Sequence, residues 1–227
     1  MQAMRLPAFK AVIFDMDGLV LDSEPTYVFA WKKAAAEFAV HLDDDFTQDL
    51  FGRQAEDVER AMAEKIGEGY QRERFLELAA RFWRARVNTC GIAPMPGLEE
   101  LLEILDSLRI PYALATNSER NYAAQCLGLA RLELRFPLAV TRDQVAAGKP
   151  APDLFLEAAR RLGRPPDQCL VLEDSATGLL AACRAGTIPA LVLARPAPQE
   201  LKALAAASFR SLREVAEDIR LLTAPNV

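Results

Sequence analysis

The chain has 227 residues, 51% of them apolar and 26% charged, with a formal net charge of −5. That length suits one large domain or a domain carrying an insert, and the apolar share supports a sizeable core, which excludes a disordered chain. Acidic and basic residues are interspersed, which speaks against a nucleic-acid partner needing a basic face. No segment reaches the roughly 18 apolar residues of a membrane span. Four widely spaced cysteines (Cys90, Cys126, Cys169, Cys183) and a single histidine, His41, form neither a C-x-x-C pair nor a zinc set, so reduced thiols are expected. Met1 to Lys10 contains no long apolar run, and a cytoplasmic location is expected, with neither nucleic acid nor membrane as partner.

In chain order, the first feature is the apolar run Ala11-Val12-Ile13-Phe14, which fits a buried strand and stops at the polar cluster Asp15 to Gly18. Helical patterns then fill Pro25–Val40, Asp43–Leu50, Ala55–Ile66 and Tyr70–Val87. Within them Trp31, Phe38, Phe75, Phe82 and Trp83 mark apolar faces, read as the core of a helical insert. Gly91 to Pro96, with two prolines and a glycine, looks like the return linker. A helix follows over Leu98–Leu105, opened by Pro96-Gly97 and closed ahead of Pro111. Further apolar runs come at Tyr112–Ala115, Leu138–Val140, Cys169–Leu172 and Ala190–Leu193, separated by helices over Asp153–Leu162 and Ala176–Ala185, each followed by a glycine. The alanine-rich stretch Ala203–Ala207 has ordinary helix composition. Strands alternating with helices at this spacing predict an α/β fold, a parallel sheet with right-handed crossovers. The predicted domains are a catalytic core of residues 1–21 and 95–227, and an inserted all-α domain of residues 22–94.

Ligands of open parallel sheets bind beyond the carboxyl ends of the strands. The residues following the apolar runs are Asp15 and Asp17; Thr116, Asn117 and Ser118; Gly148, Lys149 and Pro150 beyond a short loop; and Glu173, Asp174 and Ser175. Each set alone reads as an ordinary turn or helix cap. All four in order, each at a strand end, read as one site. Converging carboxylates repel unless compensated, and a hard divalent cation with oxygen ligands, Mg²⁺, resolves the conflict. Lys149 adds one positive charge. A phosphoryl group suits the remaining space, held by the metal, Lys149, the Thr116 hydroxyl and backbone N–H groups. Asp15, ionised beside the metal, can attack phosphorus, and Asp17 can protonate the leaving oxygen and later take a proton from water. Gly18 allows the chain to turn tightly beside the phosphate.

These residues resemble the haloacid dehalogenase-like superfamily, in the branch whose cap is a helical insert after the first strand. The resemblance rests on D-x-D-G at Asp15 to Gly18, Thr116-Asn117, the lysine of G-K-P-x-P-D at Gly148 to Asp153, and the acidic pair of E-D-S-x-x-G at Glu173 to Gly178, and it spans essentially the whole chain. It implies a Rossmann-like core with helices on both faces, plus the all-α cap. It implies Asp15 as nucleophile and Asp17 as acid and base. It implies Mg²⁺ held by Asp15, the Asp17 backbone carbonyl and Asp174, with Glu173 close by, and Gly18, Thr116, Asn117 and Lys149 around the phosphate. Leu21 to Pro25 looks like the hinge into the cap. Gly52-Arg53 looks like the cap loop, and Arg53 could pair with a second anionic group of the substrate.

Departures from the pattern narrow the activity. Dehalogenases and phosphonatases of this fold lack an aspartate where this chain has Asp17. Beta-phosphoglucomutases share all four motifs but carry a histidine where this chain has Tyr27 and a lysine where it has Phe51. The expected function is therefore Mg²⁺-dependent hydrolysis of a small phosphomonoester, such as a sugar phosphate, by a monomer or weak homo-oligomer. A phosphomutase and a non-catalytic phosphate-binding module are the alternatives.

Overall fold

The structure, a computed structural model, describes residues 6–50 and 55–223. It divides into two compact units, Met1–Leu21 with Pro94–Val227, and Asp22–Ala93. No described helix is long and apolar enough to cross a membrane.

The larger unit is built on a six-stranded parallel sheet. Its strands are β1 (Ala11–Phe14), β4 (Tyr112–Ala115), β5 (Ala139–Val140), β6 (Cys169–Glu173), β7 (Ile188–Val192) and β8 (Ala207–Phe209), in the order β5-β4-β1-β6-β7-β8. Two shorter strands, β2 (Leu21–Asp22) and β3 (Ala93–Pro94), form a separate two-stranded ribbon. Ile13 lies between Ala113 of β4 and Val171 of β6, so β1 is central and fully buried. Later strands add to one side of β1 through β4 and to the other through β6, which makes the end of β1 the switch point where such sheets bind ligands.

The alternation of side chains along each strand sets the layers. Ala11 and Ile13, Ala113 and Ala115, Cys169 and Val171 share one buried cluster with Leu154, Phe155, Ala158 and Ala159 of helix α7 (Asp153–Leu162) and with Ala181 and Ala182 of α8 (Ala176–Arg184). The small alanines let these helices approach the sheet closely. Phe14, one residue out of phase with Ile13, meets Phe136 and Tyr112 edge-on, with ring centroids 5.6 and 6.1 Å apart. Burying such a ring contributes about 2–3 kcal/mol. Helices α5 (Leu98–Ser107) and α10 (Leu212–Thr223) pack on each other, and α6 (Arg120–Leu129) and α9 (Gln199–Leu204) complete the unit.

The smaller unit contains α1 (Glu24–Ala36), α2 (Asp44–Gln48), α3 (Ala55–Ile66) and α4 (Arg72–Cys90), with α1 packed along α4. Helix α1 ends four residues before the expected Val40, and Ala39 just beyond it has φ +58°, a left-handed value that cannot continue a helix. Helix α4 runs on to Cys90 and stops at Gly91. Ala34, Ala35, Leu42, Met62 and Phe75 form its buried core, with Trp31, Phe38 and Phe82 packed around them. Trp83 is also buried. It stacks with Tyr27, centroids 6.3 Å apart, and donates its indole N–H to the Thr26 hydroxyl at 3.1 Å.

The larger unit also departs from the sequence reading. The stretch Ala203–Ala207 is not one helix. α9 stops at Leu204 and the chain re-enters the sheet as β8, just before which the Ala206 N–H donates to the Pro189 carbonyl. Helices α6 and α10 have no counterpart among the expected elements.

Candidate active site

Four chain segments leave the carboxyl edge of the sheet at this switch point. The Asp15 N–H still donates to the Leu172 carbonyl at 3.1 Å, so the backbone of Asp15 is fixed by the ladder between β1 and β6. The residue is only 9% exposed. The chain then turns back at once. Gly18 N–H donates to the Leu21 carbonyl at 2.9 Å, and Val20 and Leu21 both donate to the Met16 carbonyl. Gly18 has φ +82°, and a Cβ there would overlap the Asp174 carboxylate, so the turn requires glycine twice over.

Lys149 organises the interior of the site. Its ammonium donates to Asp15 Oδ1, to Glu173 Oε1 at 2.6 Å and to the Ala115 carbonyl at 2.9 Å. An ammonium has three N–H donors, and all three are engaged. The Phe155 ring lies 4.9 Å from Nζ. Burial disfavours the Lys149 charge, but the Asp15 and Glu173 carboxylates outweigh it and hold its pKa above the ordinary lysine value. Burial also pushes the Asp15 carboxyl up to about 7, against the pull of Lys149 and with a smaller push from Glu173.

The loop that carries Lys149 is clamped by Asn117. The Lys149 N–H donates to Asn117 Oδ1 at 2.8 Å, and Asn117 Nδ2 donates to the Lys149 carbonyl at 3.2 Å. Thr116 is buried, and its Oγ1 accepts from the Ser118 N–H at 3.0 Å. The Ser118 hydroxyl in turn donates to Asp17 Oδ2 at 3.2 Å.

Glu173 is fully buried at the end of β6. Its Oε2 accepts from the Ser175 hydroxyl at 2.9 Å and from the Ser175 N–H at 3.3 Å, and the same hydroxyl caps α8 by accepting from Gly178 N–H. A Cβ on Gly178 would fall inside the Glu173 carboxyl, so the first turn of α8 must be glycine to admit it.

Among the described residues, Asp15, Glu173 and Asp174 bring one carboxylate oxygen each within 4.8 Å of one another. Three oxygen donors at that spacing fit a hard divalent cation, and Gly18 and Gly178 leave room for two of these carboxylates. With Asp17, four acids face one ammonium, an excess of negative charge that a cation would relieve.

The structure thus brings Asp15, Asp17, Gly18, Thr116, Asn117, Lys149, Glu173 and Asp174 to one edge of one unit. Within the protein, Lys149 is counter-ion to Asp15 and Glu173, and Asn117 clamps the loop that carries it. Ser118, part of the strand-end set in the sequence, donates its hydroxyl to Asp17. Arg53, together with Gly52 and Phe51, lies outside the described residues.

Comparison with known proteins gives the same direction. The family model of the haloacid dehalogenase-like hydrolases matches residues 9–186. A phosphorylated carbohydrates phosphatase of Thermotoga maritima is 33% identical over 177 residues, 78% of this chain and 82% of the relative. A fructose-1-phosphate phosphatase of Escherichia coli is 32% identical over 180 residues, 78% of this chain and 93% of the relative. Among solved structures, a provisionally assigned beta-phosphoglucomutase of Thermotoga maritima superposes with a TM-score of 0.80 at 28% identity, covering 94% of this chain and 99% of the other.

Proposed function

The chain belongs to the haloacid dehalogenase-like hydrolases, and from that membership we propose that it hydrolyses a small phosphomonoester, a sugar or polyol phosphate, through an aspartyl-phosphate on Asp15. The observation that carries this reading is the Asp15–Lys149–Glu173 arrangement at the end of the central strand. It holds a carboxylate rigidly, almost buried, at the place where such sheets take ligands.

In this reading an Asp15 oxygen attacks phosphorus while the bond from phosphorus to the leaving oxygen breaks. Asp17 gives its proton to that leaving oxygen. Water then attacks phosphorus, Asp17 takes the water proton, and the bond from phosphorus to Asp15 breaks to release inorganic phosphate. Lys149 steadies the charge on Asp15 and fixes its rotamer, the preorganisation that phosphoryl transfer depends on. Thr116 and the backbone N–H groups of the Asp15–Gly18 turn would hold the phosphoryl oxygens. Asp15, the Asp17 backbone carbonyl and Asp174, supported by Glu173, would hold Mg²⁺. When bound, Mg²⁺ supplies positive charge that keeps Asp15 ionised and offsets the charge of the phosphoryl oxygens. Residues 22–94 would act as a cap that shields the reaction from bulk water.

A phosphomutase is the second reading, favoured by the mutase likeness in fold. Tyr27 argues against it. Where the mutases of this branch have a titratable imidazole, this chain has a phenol stacked between Trp31 and Trp83. A panel of small phosphate esters with Mg²⁺ separates the two. Hydrolysis predicts stoichiometric phosphate release from at least one sugar or polyol phosphate. Isomerisation of a hexose phosphate with little phosphate release would overturn it.

A further inference from the structure

We propose that Ser118 is a positioning residue for proton transfer, holding the Asp17 carboxyl in the orientation from which it protonates the leaving oxygen. This rests on the role of Asp17 proposed above and adds to it the residue that makes the role precise.

The main chain of Asp17 is pinned, because Asp17 bridges to Leu21 and the next residue, Gly18, donates to the Leu21 carbonyl at 2.9 Å. The side chain of an aspartate keeps two rotatable bonds, and a hydrogen bond to its oxygens selects among the settings that the backbone allows. The Ser118 hydroxyl supplies one at 3.2 Å, from a residue 101 positions away in sequence.

Ser118 is itself held at both ends. Its N–H donates to Thr116 Oγ1 at 3.0 Å, and its carbonyl accepts from the Arg142 N–H at 3.0 Å. Thr116 in turn continues the ladder, its N–H donating to the Val140 carbonyl at 3.0 Å. The hydroxyl is therefore a donor fixed to β4 and β5, aimed at an acid fixed to β1. The pair ties the general acid to the same sheet edge that carries the nucleophile. All of these groups lie in one unit, so the arrangement does not depend on the cap.

The chemistry predicts a selective effect. An alkoxide leaves poorly, and its departure requires the proton that Asp17 carries. A nitrophenolate leaves without one. A misoriented Asp17 therefore slows alkyl esters and spares p-nitrophenyl phosphate, whereas a merely structural defect slows both alike. The value of kcat/KM reports the steps through leaving-group departure, so it is the quantity to compare.

The test uses the full chain with Mg²⁺, p-nitrophenyl phosphate and the best alkyl ester of the panel. Ser118→Ala is expected to lower kcat/KM for the alkyl ester about 10-fold, in line with loss of one hydrogen bond to a charged group, and to change that for p-nitrophenyl phosphate by less than about 2-fold. Ser118→Thr, which keeps the hydroxyl, is expected to restore the ratio. Asp17→Asn in parallel should show the same selectivity more strongly. Equal losses on both substrates in Ser118→Ala, or no recovery in Ser118→Thr, would overturn the positioning role while leaving Asp17 in place. An Asp17→Asn enzyme that keeps full alkyl-ester activity would instead overturn the general-acid reading beneath it.

Discussion

Lys149→Met removes the ammonium and keeps much of the length of the side chain. In the native protein Lys149 joins Asp15, which is 9% exposed, to Glu173, which is fully buried. Its loss leaves two carboxylates without that partner, and breaking a buried ion pair from one side costs about 3–5 kcal/mol. For a chain of this size that lowers the melting temperature by about 10 °C. Lys149 also bonds the Ala115 carbonyl at 2.9 Å, so part of the cost is an unmet backbone acceptor, about 1 kcal/mol. Urea melts in EDTA measure the total without a cation to mask it. The double variant Lys149→Met with Glu173→Gln separates charge from packing. It removes one of the stranded charges and should recover 1 kcal/mol or more, in the range of coupling expected between contacting residues. Equal instability of the single and double variants would refute the electrostatic reasoning and assign the cost to packing alone.

Gly178→Ala should destabilise the protein by about 1–3 kcal/mol, because the new methyl displaces the Glu173 carboxyl, and phosphate release should fall with it; a melt and a kinetic assay on the same sample check both. EDTA should abolish phosphate release and Mg²⁺ should restore it. Mg²⁺ at 100 times its Kd should also stabilise the fold by about 2.7 kcal/mol, read as a rise in melting temperature that Asp174→Asn diminishes. Burial pushes the Cys126 and Cys169 thiols up to about 11, so both stay protonated at pH 8, whereas Cys90 and Cys183 are exposed. Partial burial pushes the Cys183 thiol up as well, so a thiol reagent at pH 8 should label Cys90 fastest, Cys183 more slowly, and all four only after denaturation.

The parts of the molecule legible in the sequence were those with a local signature. The run Ala11–Phe14 is a strand because four consecutive apolar residues end at a polar turn, and helix Asp153–Leu162 has the expected bounds because Pro152 precedes it and Gly163 ends it. The four strand-end sets could be gathered into one site from topology alone, since parallel strands place their carboxyl ends on one edge. What stayed hidden depends on distant partners. Strand β8 is only Ala207-Ser208-Phe209, too short to show a period, and it is a strand because β7 offers it a ladder. Helix α6 carries Asn121, Gln125 and Gly128 among its apolar residues, which blurs its pattern. Nothing local reveals that Asn117 clamps the loop of Lys149 across 32 residues. The Ser118–Asp17 bond spans 101 positions and was equally out of reach.

In the proposed reaction Asp15 becomes covalently phosphorylated during turnover. Rapid acid quench with the best ester of the panel, followed by mass spectrometry of the peptide containing Asp15, tests it directly. A phosphoryl group on Asp15 is expected to appear with substrate, to decay as substrate is exhausted and to be absent from inactive Asp15→Asn. Turnover that continues in Asp15→Asn, with no phosphoryl group on Asp15 in the native enzyme at any quench time, would contradict it.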